Sequence, residues 1–207
     1  MDNKAMYKLS YGLFILTVKE GEKDNGCVIN TAIQAASAPN QLSICVNKSN
    51  YTHDMIVRTG QFTVSVISQN ADFNLFKHFG FQSGRNVNKF ESFENCKRGE
   101  NGIYYITQGT NAYISVKVDK TLDLGSHTMF VGEISDMQVL DETASATYEY
   151  YQNNIKPKPQ EVGTTKDGKP IWRCKICGYE YVGEHLPEDY ICPICKHPAS
   201  DFEKVSK

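Results

Sequence analysis

No apolar run reaches the ~18 residues that a membrane-spanning helix needs. The opening stretch MDNKAMYKLSYGLFILTVKE has no basic leader, no apolar core and no small-residue cleavage site. Neither a membrane nor secretion is expected, and a reducing cytoplasm is. A strong charge of one sign is also missing, since 24 acidic residues against 22 basic ones leave a net charge of −2. A nucleic-acid partner, which needs a basic surface to displace counterions, is therefore not expected. Neither G-x-G-x-x-G nor G-x-x-x-x-G-K-[ST] occurs, so any nucleotide is held without a Rossmann turn or a P-loop. With 40% hydrophobic and 22% charged residues, the 207-residue chain has a globular composition, enough for one large domain with a small appendage.

What is present divides the chain. From Tyr11 to Tyr148 the apolar runs are short, β-branched or aromatic, and bounded by Gly, Asn or Pro. Leu13 to Val18, Leu42 to Val46, Phe62 to Ile67 and Tyr113 to Val118 read as strands. Asn25-Gly26 reads as a hairpin turn. Helices are predicted over Thr52 to Thr59, closed by Gly60, and over Ala71 to Phe79, opened by Asn70 and closed by Gly80. The fold class is mainly β with a few helices, a barrel in preference to a parallel sheet. The stretch QNNIKPKPQEVGTTKDGKP is rich in proline and polar residues and cannot bury a core. The expected organisation is a domain over 1–152, a linker over 153–168 and a small domain over 169–207.

Seven cysteines form two populations. Cys174, Cys177, Cys192 and Cys195 make two C-x-x-C knuckles, and each such turn aims two thiolates at one point. A segment near ~40 residues seldom folds on a hydrophobic core alone, so a metal is the expected staple. Tetrahedral sulfur suits zinc or iron, and the ligand set by itself does not choose between them. Trp172, Tyr179, Tyr181, Tyr190 and Phe202 add an aromatic shell. WRCKICGYEY, LPEDYICPIC and DFEKV together resemble rubredoxin. The resemblance implies one iron held by the four cysteines and used as a one-electron carrier. Lys196 stands where rubredoxins usually place glycine. Cys27 and Cys45 fall in apolar strands as small hydrophobes, and Cys96, among basic neighbours, is the candidate reactive thiol.

The larger domain carries amide, hydroxyl and basic side chains at strand ends and in loops, suited either to solvent or to a phosphorylated cofactor. In order, NGCVINTAIQAAS, APNQLSICVNKSNYTHDMI, GQFTVSVIS, FGFQSGRNVNKFE and GSHTMFVGEISD resemble the flavin reductase family with its FMN-binding split barrel. That resemblance implies that Asn30, Thr31, Ala32 and Gln34 line the flavin ring, largely by backbone groups. Asn47, Lys48, Ser49 and Thr52 would hold the ribityl chain and phosphate, and Ser83, Gly84, Arg85 and Lys89 would close over the phosphate. His127 would stand near the flavin and nicotinamide as the catalytic candidate. His53 and His78 read as helix-end residues. Pro39-Asn40 replaces the family's Pro-Pro pair, and Gln34 its usual serine.

The two resemblances together are those of high-molecular-weight rubredoxins, in which electrons pass from NADH or NADPH through FMN to the iron. They imply a homodimer and a flavodiiron oxygen or nitric oxide reductase as electron acceptor. On residues alone, a flavin-binding domain carrying a structural zinc ribbon remains open.

Overall fold

The computed structural model describes residues 2–157, 169–176, 178–193 and 197–205. The chain falls into two compact units, Met1–Lys156 and Pro157–Lys207. Within the first unit, β1 (Phe14–Glu20) and β2 (Lys23–Ile29) are followed by β3 (Ala32–Ser37) and β4 (Asn40–Asn47). Helix α1 (Tyr51–Thr59), β5 (Gln61–Ile67) and helix α2 (Phe73–Gly80) come next. A small hairpin, β6 (Cys96–Arg98) and β7 (Tyr104–Ile106), precedes the long strands β8 (Thr110–Asp123) and β9 (His127–Val139). One seven-stranded sheet results, in the order β2-β1-β5-β8-β9-β4-β3, with every neighbouring pair antiparallel.

Strand β1, flanked by β2 and β5, explains why two cores exist. Successive side chains of a strand point to opposite faces. Leu16 and Val18 face the core shared with Ile44, Met55, Ile56, Phe62 and Phe130, which α1 covers. Leu13 and Ile15 face the other, built with Ile67, Phe76, Phe79, Ile106 and Tyr151, which α2 covers. Covered on both faces, β1 reads as a nearly continuous apolar run. Tyr151 packs 4.4 Å from the Phe76 ring and 6.4 Å from Phe73. A short turn α3 (Tyr148–Tyr150) runs into a π-helical turn, Tyr151–Ile155, so residues 153–156 of the expected linker are structured within this unit. Residues 158–168 lie outside the described residues.

Two local expectations need correction. The β1–β2 turn lies at Gly21-Glu22, with Glu20 opposite Lys23 and Gly21 at φ 57°, and Asn25-Gly26 sits inside β2. Register decides this, because a slip would turn Cys27 and Ile29 out of the α1-side core. Helix α2 starts later than expected. Asp72, not Asn70, is its cap, and Asp72 Oδ1 accepts from Asn74 N at 2.8 Å and Leu75 N at 3.2 Å. A carboxylate suits the positive end of a helix better than an amide does. The Asn70 amide donates instead to Thr143 Oγ1 at 2.9 Å, and Gly80 is the last helical residue. Helix α1 closes at Gly60, φ 68°, as expected, and the structure adds its cap: Asn50 Oδ1 accepts from Thr52 N at 3.0 Å.

In the second unit, β10 (Ile171–Cys174), β11 (Glu180–Val182) and β12 (Phe202–Val205) form an antiparallel sheet ordered β11-β10-β12. Its core is Cys174, Cys192 and Phe202, wrapped by Trp172, Ile176, Tyr179, Tyr181, Leu186 and Tyr190. Trp172 Nε1 donates to Gly183 O at 3.0 Å, so the indole is satisfied where it is half-buried.

The close approach of β8 and β9 has a measurable consequence at Gly132. A Cβ there would lie 2.2 Å from the Lys117 carbonyl oxygen, and backbone cannot swing aside. Gly132→Ala is expected to cost about 1–3 kcal/mol, read as a lower urea midpoint. An unchanged midpoint would contradict this packing.

Candidate functional site

Of the expected phosphate-binding residues, Asn47, Lys48, Ser49 and Thr52 lie between the end of β4 and the first turn of α1, and Arg85 reaches that turn through Asp54. Asn47 ends β4, and its Oδ1 accepts from both Ser49 N and Ser49 Oγ at 2.9 Å. Lys48 N donates to Ser126 O at 3.0 Å, and Lys48 Nζ reaches Asp123 Oδ1 at 2.6 Å. The hydrogen bond from Lys48, with one from Gly125 N, holds the Asp123 carboxyl below its ordinary range. Thr52 is fully buried, and its Oγ1 accepts from Asn25 Nδ2 at 2.9 Å.

Asn25 is the joint of this region. Its side chain is 1% exposed, and Gly84 presses on it so closely that a Cβ at position 84 would fall 2.0 Å from Asn25 Oδ1. Only glycine fits there. The following loop is knotted by Asn86 N and Val87 N on Ser83 O, at 3.0 and 3.2 Å, and by Arg85 N on Ser83 Oγ at 3.3 Å. Arg85 Nη2 donates to Asp54 Oδ2 at 2.5 Å, and its guanidinium lies 4.9 Å from the Tyr51 ring centre. Burial raises the Asp54 pKa, but hydrogen bonds from His53 and Arg85 outweigh it and leave the carboxyl below its ordinary value. A cleft of about 550 Å³ opens beside the loop, lined by Glu20 and Glu22 as well as Lys23, Arg85, Asn86 and Asn88.

Lys89 stands differently from the expectation that it reaches over a phosphate. It is 3% exposed, and its ammonium donates to Gly26 O at 2.8 Å and Phe79 O at 2.9 Å. Burial pushes its pKa down to about 8. His78, stacked on Phe93 at 4.9 Å, donates from Nε2 to Lys89 O at 2.6 Å. Lys89 therefore pins the end of the loop to β2 and α2.

The ring-lining candidates lie along β3. Thr31 Oγ1 donates to Cys45 O at 2.8 Å, Ala32 pairs with Ile44, and exposed Gln34 donates to Asn40 Oδ1 at 2.9 Å. Asn30 borders a separate cleft of about 880 Å³ with Met6, Leu9, Tyr11, Thr147 and Tyr148. His127, the first residue of β9, is paired in register with Asn47 and approaches Ser126 Oγ at 2.9 Å through Nδ1. The sheet thus brings His127 beside the Asn47–Ser49 turn. Lys48 and Arg85 bring two cations, each already paired with a carboxylate, to the region of the α1 start, the chemistry a phosphate monoester would require.

In the second unit Cys174 and Cys192 are 1% and 0% exposed inside one aromatic cluster. The first knuckle is closed by Gly178 N on Cys174 O at 2.9 Å, with Gly178 at φ 77°, and the second by Cys192 N on His197 O at 2.8 Å. Buried thiols on such turns fit a tetrathiolate metal site. Cys177, Cys195 and Lys196 lie outside the described residues. Cys96 does not stand as a reactive thiol, because burial pushes its pKa up and its sulfur donates to Phe93 O at 3.2 Å. Burial raises the Cys27 and Cys45 thiols too.

Family models match the chain twice, as a flavin reductase like domain over residues 6–158 and as a rubrerythrin, rubredoxin-like domain over residues 172–203. The chain belongs to the flavin reductase-like family. It is 36% identical to a high molecular weight rubredoxin of Moorella thermoacetica, over 99% of this chain and all of that one. It is 38% identical to a ferric-chelate reductase (NAD(P)H) of Archaeoglobus fulgidus, over 79% of this chain and 96% of that one. In fold it is similar to an NADH:FAD oxidoreductase of Streptomyces globisporus, with a TM-score of 0.62, 22% identity and 70% and 84% of the two chains covered. Membership makes the chain an oxidoreductase with a flavin reductase domain and a rubredoxin-like appendage.

Sequence reasoning missed Asn25, Tyr51, Asp54 and Asp123. Asn25 was hidden by its glycine neighbour, which reads as a turn. An acidic residue within the first turn of a capped helix was a usable signal for Asp54.

The buried Lys89 ammonium gives a pH test. Its folded pKa of about 8 lies below the ordinary 10.5, so the unfolded chain binds the proton more tightly. Between pH 8 and 10.5 stability therefore rises with pH, because the folded state has released a proton that the unfolded state retains. Over this interval the parent should gain up to about 3 kcal/mol relative to Lys89→Met, measured by urea unfolding at each pH. A constant difference would mean that Lys89 is ordinary and solvated.

Proposed function

We propose that this chain is an NAD(P)H-dependent electron-transfer protein that couples a flavin, FMN, to an iron held by Cys174, Cys177, Cys192 and Cys195. Its acceptor is a redox protein such as a flavodiiron oxygen or nitric oxide reductase. The observation that carries this reading is a phosphate-suited helix start in one unit, joined in the same chain to buried knuckle cysteines in an aromatic shell in the other. When bound, the flavin accepts an electron pair and releases electrons singly, and the iron carries one at a time.

The chain's own residues have distinct tasks under this reading. Lys48, Ser49 and Arg85 bind the phosphate, while Asn47, Thr52, Ser83 and Gly84 shape the turn and loop that present them. Lys89 holds the loop's far end. Backbone groups of Asn30, Thr31 and Ala32, with the Gln34 side chain, line the ring, and His127 orients the nicotinamide. Trp172, Tyr179, Tyr190 and Phe202 keep water from the sulfurs. The reading includes a split barrel, a homodimer and a cytoplasmic setting. The relatives named NAD(P)H and NADH enzymes support the donor class.

A visible spectrum of the purified chain, recorded before and after NADH under argon, tests the proposal. Red iron bands and yellow flavin bands that both bleach are expected. A colourless protein would sink the redox reading, and flavin bleaching with iron absorbance unchanged would break the coupling. An iron-free, zinc-loaded chain would favour a structural ribbon instead. Cys174→Ser should remove the iron bands and leave flavin reduction intact. Shortening the segment 158–168 should slow iron reduction in stopped flow while leaving flavin reduction at the parent rate, and equal rates in both would exclude a tethered carrier.

A further inference from the structure

We propose that His53 and Asp54 are positioning residues that fix the Arg85 guanidinium for the phosphate of the bound flavin. The inference rests on the flavin reading above and adds to it a hydrogen-bonded line across three separate elements. It begins on β9 at Thr128, the neighbour of His127, passes through the first turn of α1, and ends on the loop that carries Arg85.

The Asp54 end of the line has a fixed direction. Asp54 is a carboxylate and accepts only, so His53 Nδ1 carries the proton and donates to Asp54 Oδ1 at 3.2 Å. His53 Nε2 lies 2.9 Å from the Thr128 hydroxyl, which can either donate or accept. Arg85 Nη2 takes the other carboxylate oxygen, Oδ2, at 2.5 Å. His53 has little freedom to leave, being 8% exposed with its ring 5.6 Å from Phe130. Both oxygens of Asp54 are thereby engaged and its side chain has one orientation.

Arg85 needs such a hold. Its side chain is 51% exposed, and a long solvated arginine otherwise samples many rotamers. Asp54 holds one edge of the guanidinium while Tyr51 sits under its face at 4.9 Å. The remaining guanidinium N–H groups have no partner among the described residues and are left to an anion at the α1 start. A pre-aimed fork loses less freedom when it binds, which under this proposal offsets the screened repulsion between the half-buried Asp54 carboxylate and the phosphate.

Riboflavin, which is FMN without its phosphate, separates positioning from general support. The full-length apoprotein is titrated with each flavin, and quenching of flavin fluorescence reads the affinity. Asp54→Ala should weaken FMN about tenfold and leave riboflavin within twofold. Asp54→Asn, which keeps an acceptor for Arg85, should restore most of the FMN affinity, and His53→Gln should lose about threefold, again for FMN alone. In an Arg85→Ala background, Asp54→Ala should change FMN affinity less than twofold, since the group it positions is gone. FMN binding by Asp54→Ala at parental affinity would overturn the proposal, as would equal weakening of FMN and riboflavin. A parent chain that binds neither flavin would overturn the flavin reading and this inference with it. A parent that binds FMN while the Asp54 variants do not respond overturns the inference alone.

Discussion

A single buried amide decides how the first unit is assembled around its candidate site. Asn25 stands in the middle of β2 with its side chain out of water, where an amide is costly unless it is bonded. Its Nδ2 is satisfied by the Thr52 hydroxyl, which fixes the first turn of α1 against the sheet. Its Oδ1, buried without a hydrogen-bond partner among the described residues, lies against Gly84, and this contact limits where the following loop can run. The α1 start and the Ser83–Arg85 loop are distant in sequence, yet one side chain sets both of their positions. The Lys89 ammonium, bonded to carbonyls of β2 and α2, closes the same loop from its other end.

That arrangement explains what was legible in the sequence. Strands such as β1 and β5 were readable because their apolar runs are short and their boundaries carry turn residues. Gly60 announced the end of α1 through local chemistry. Asn25-Gly26 misled because its dipeptide favours a turn, while the actual turn at Gly21-Glu22 is selected by the pairing of Leu16 with Cys27, a contact between strands. Local preference lost to register. Asp72 displaced Asn70 as a cap for a similar reason: both are capping residues, and only the packing of Phe76 and Phe79 settles which turn comes first.

The candidate site shows the same division. Lys48, Ser49 and Arg85 were singled out only through the resemblance of their surrounding motifs, because polar and cationic residues at a strand end and in a loop suit solvent equally well. Lys89 has the same chemistry but a different place, and its charge is spent on backbone carbonyls inside the fold. Sequence carries the kind of donor, and the third dimension assigns its partner. Asp54 and Asp123 stayed hidden because their meaning lies wholly in what they touch. The second unit was more transparent, since Cys174 and Cys192 sit on knuckles whose spacing is itself the geometry and whose aromatic neighbours are close in sequence.

The pairing of Lys48 with Asp123 and of Arg85 with Asp54 has a kinetic side. Each cation carries a matched anion before any ligand arrives, so seen from a distance the site is nearly neutral. If the flavin reading holds, an approaching phosphate would feel little long-range pull and would be recognised at contact. Capture at such a site should depend weakly on ionic strength, unlike sites that collect their ligands with an open field of positive charge.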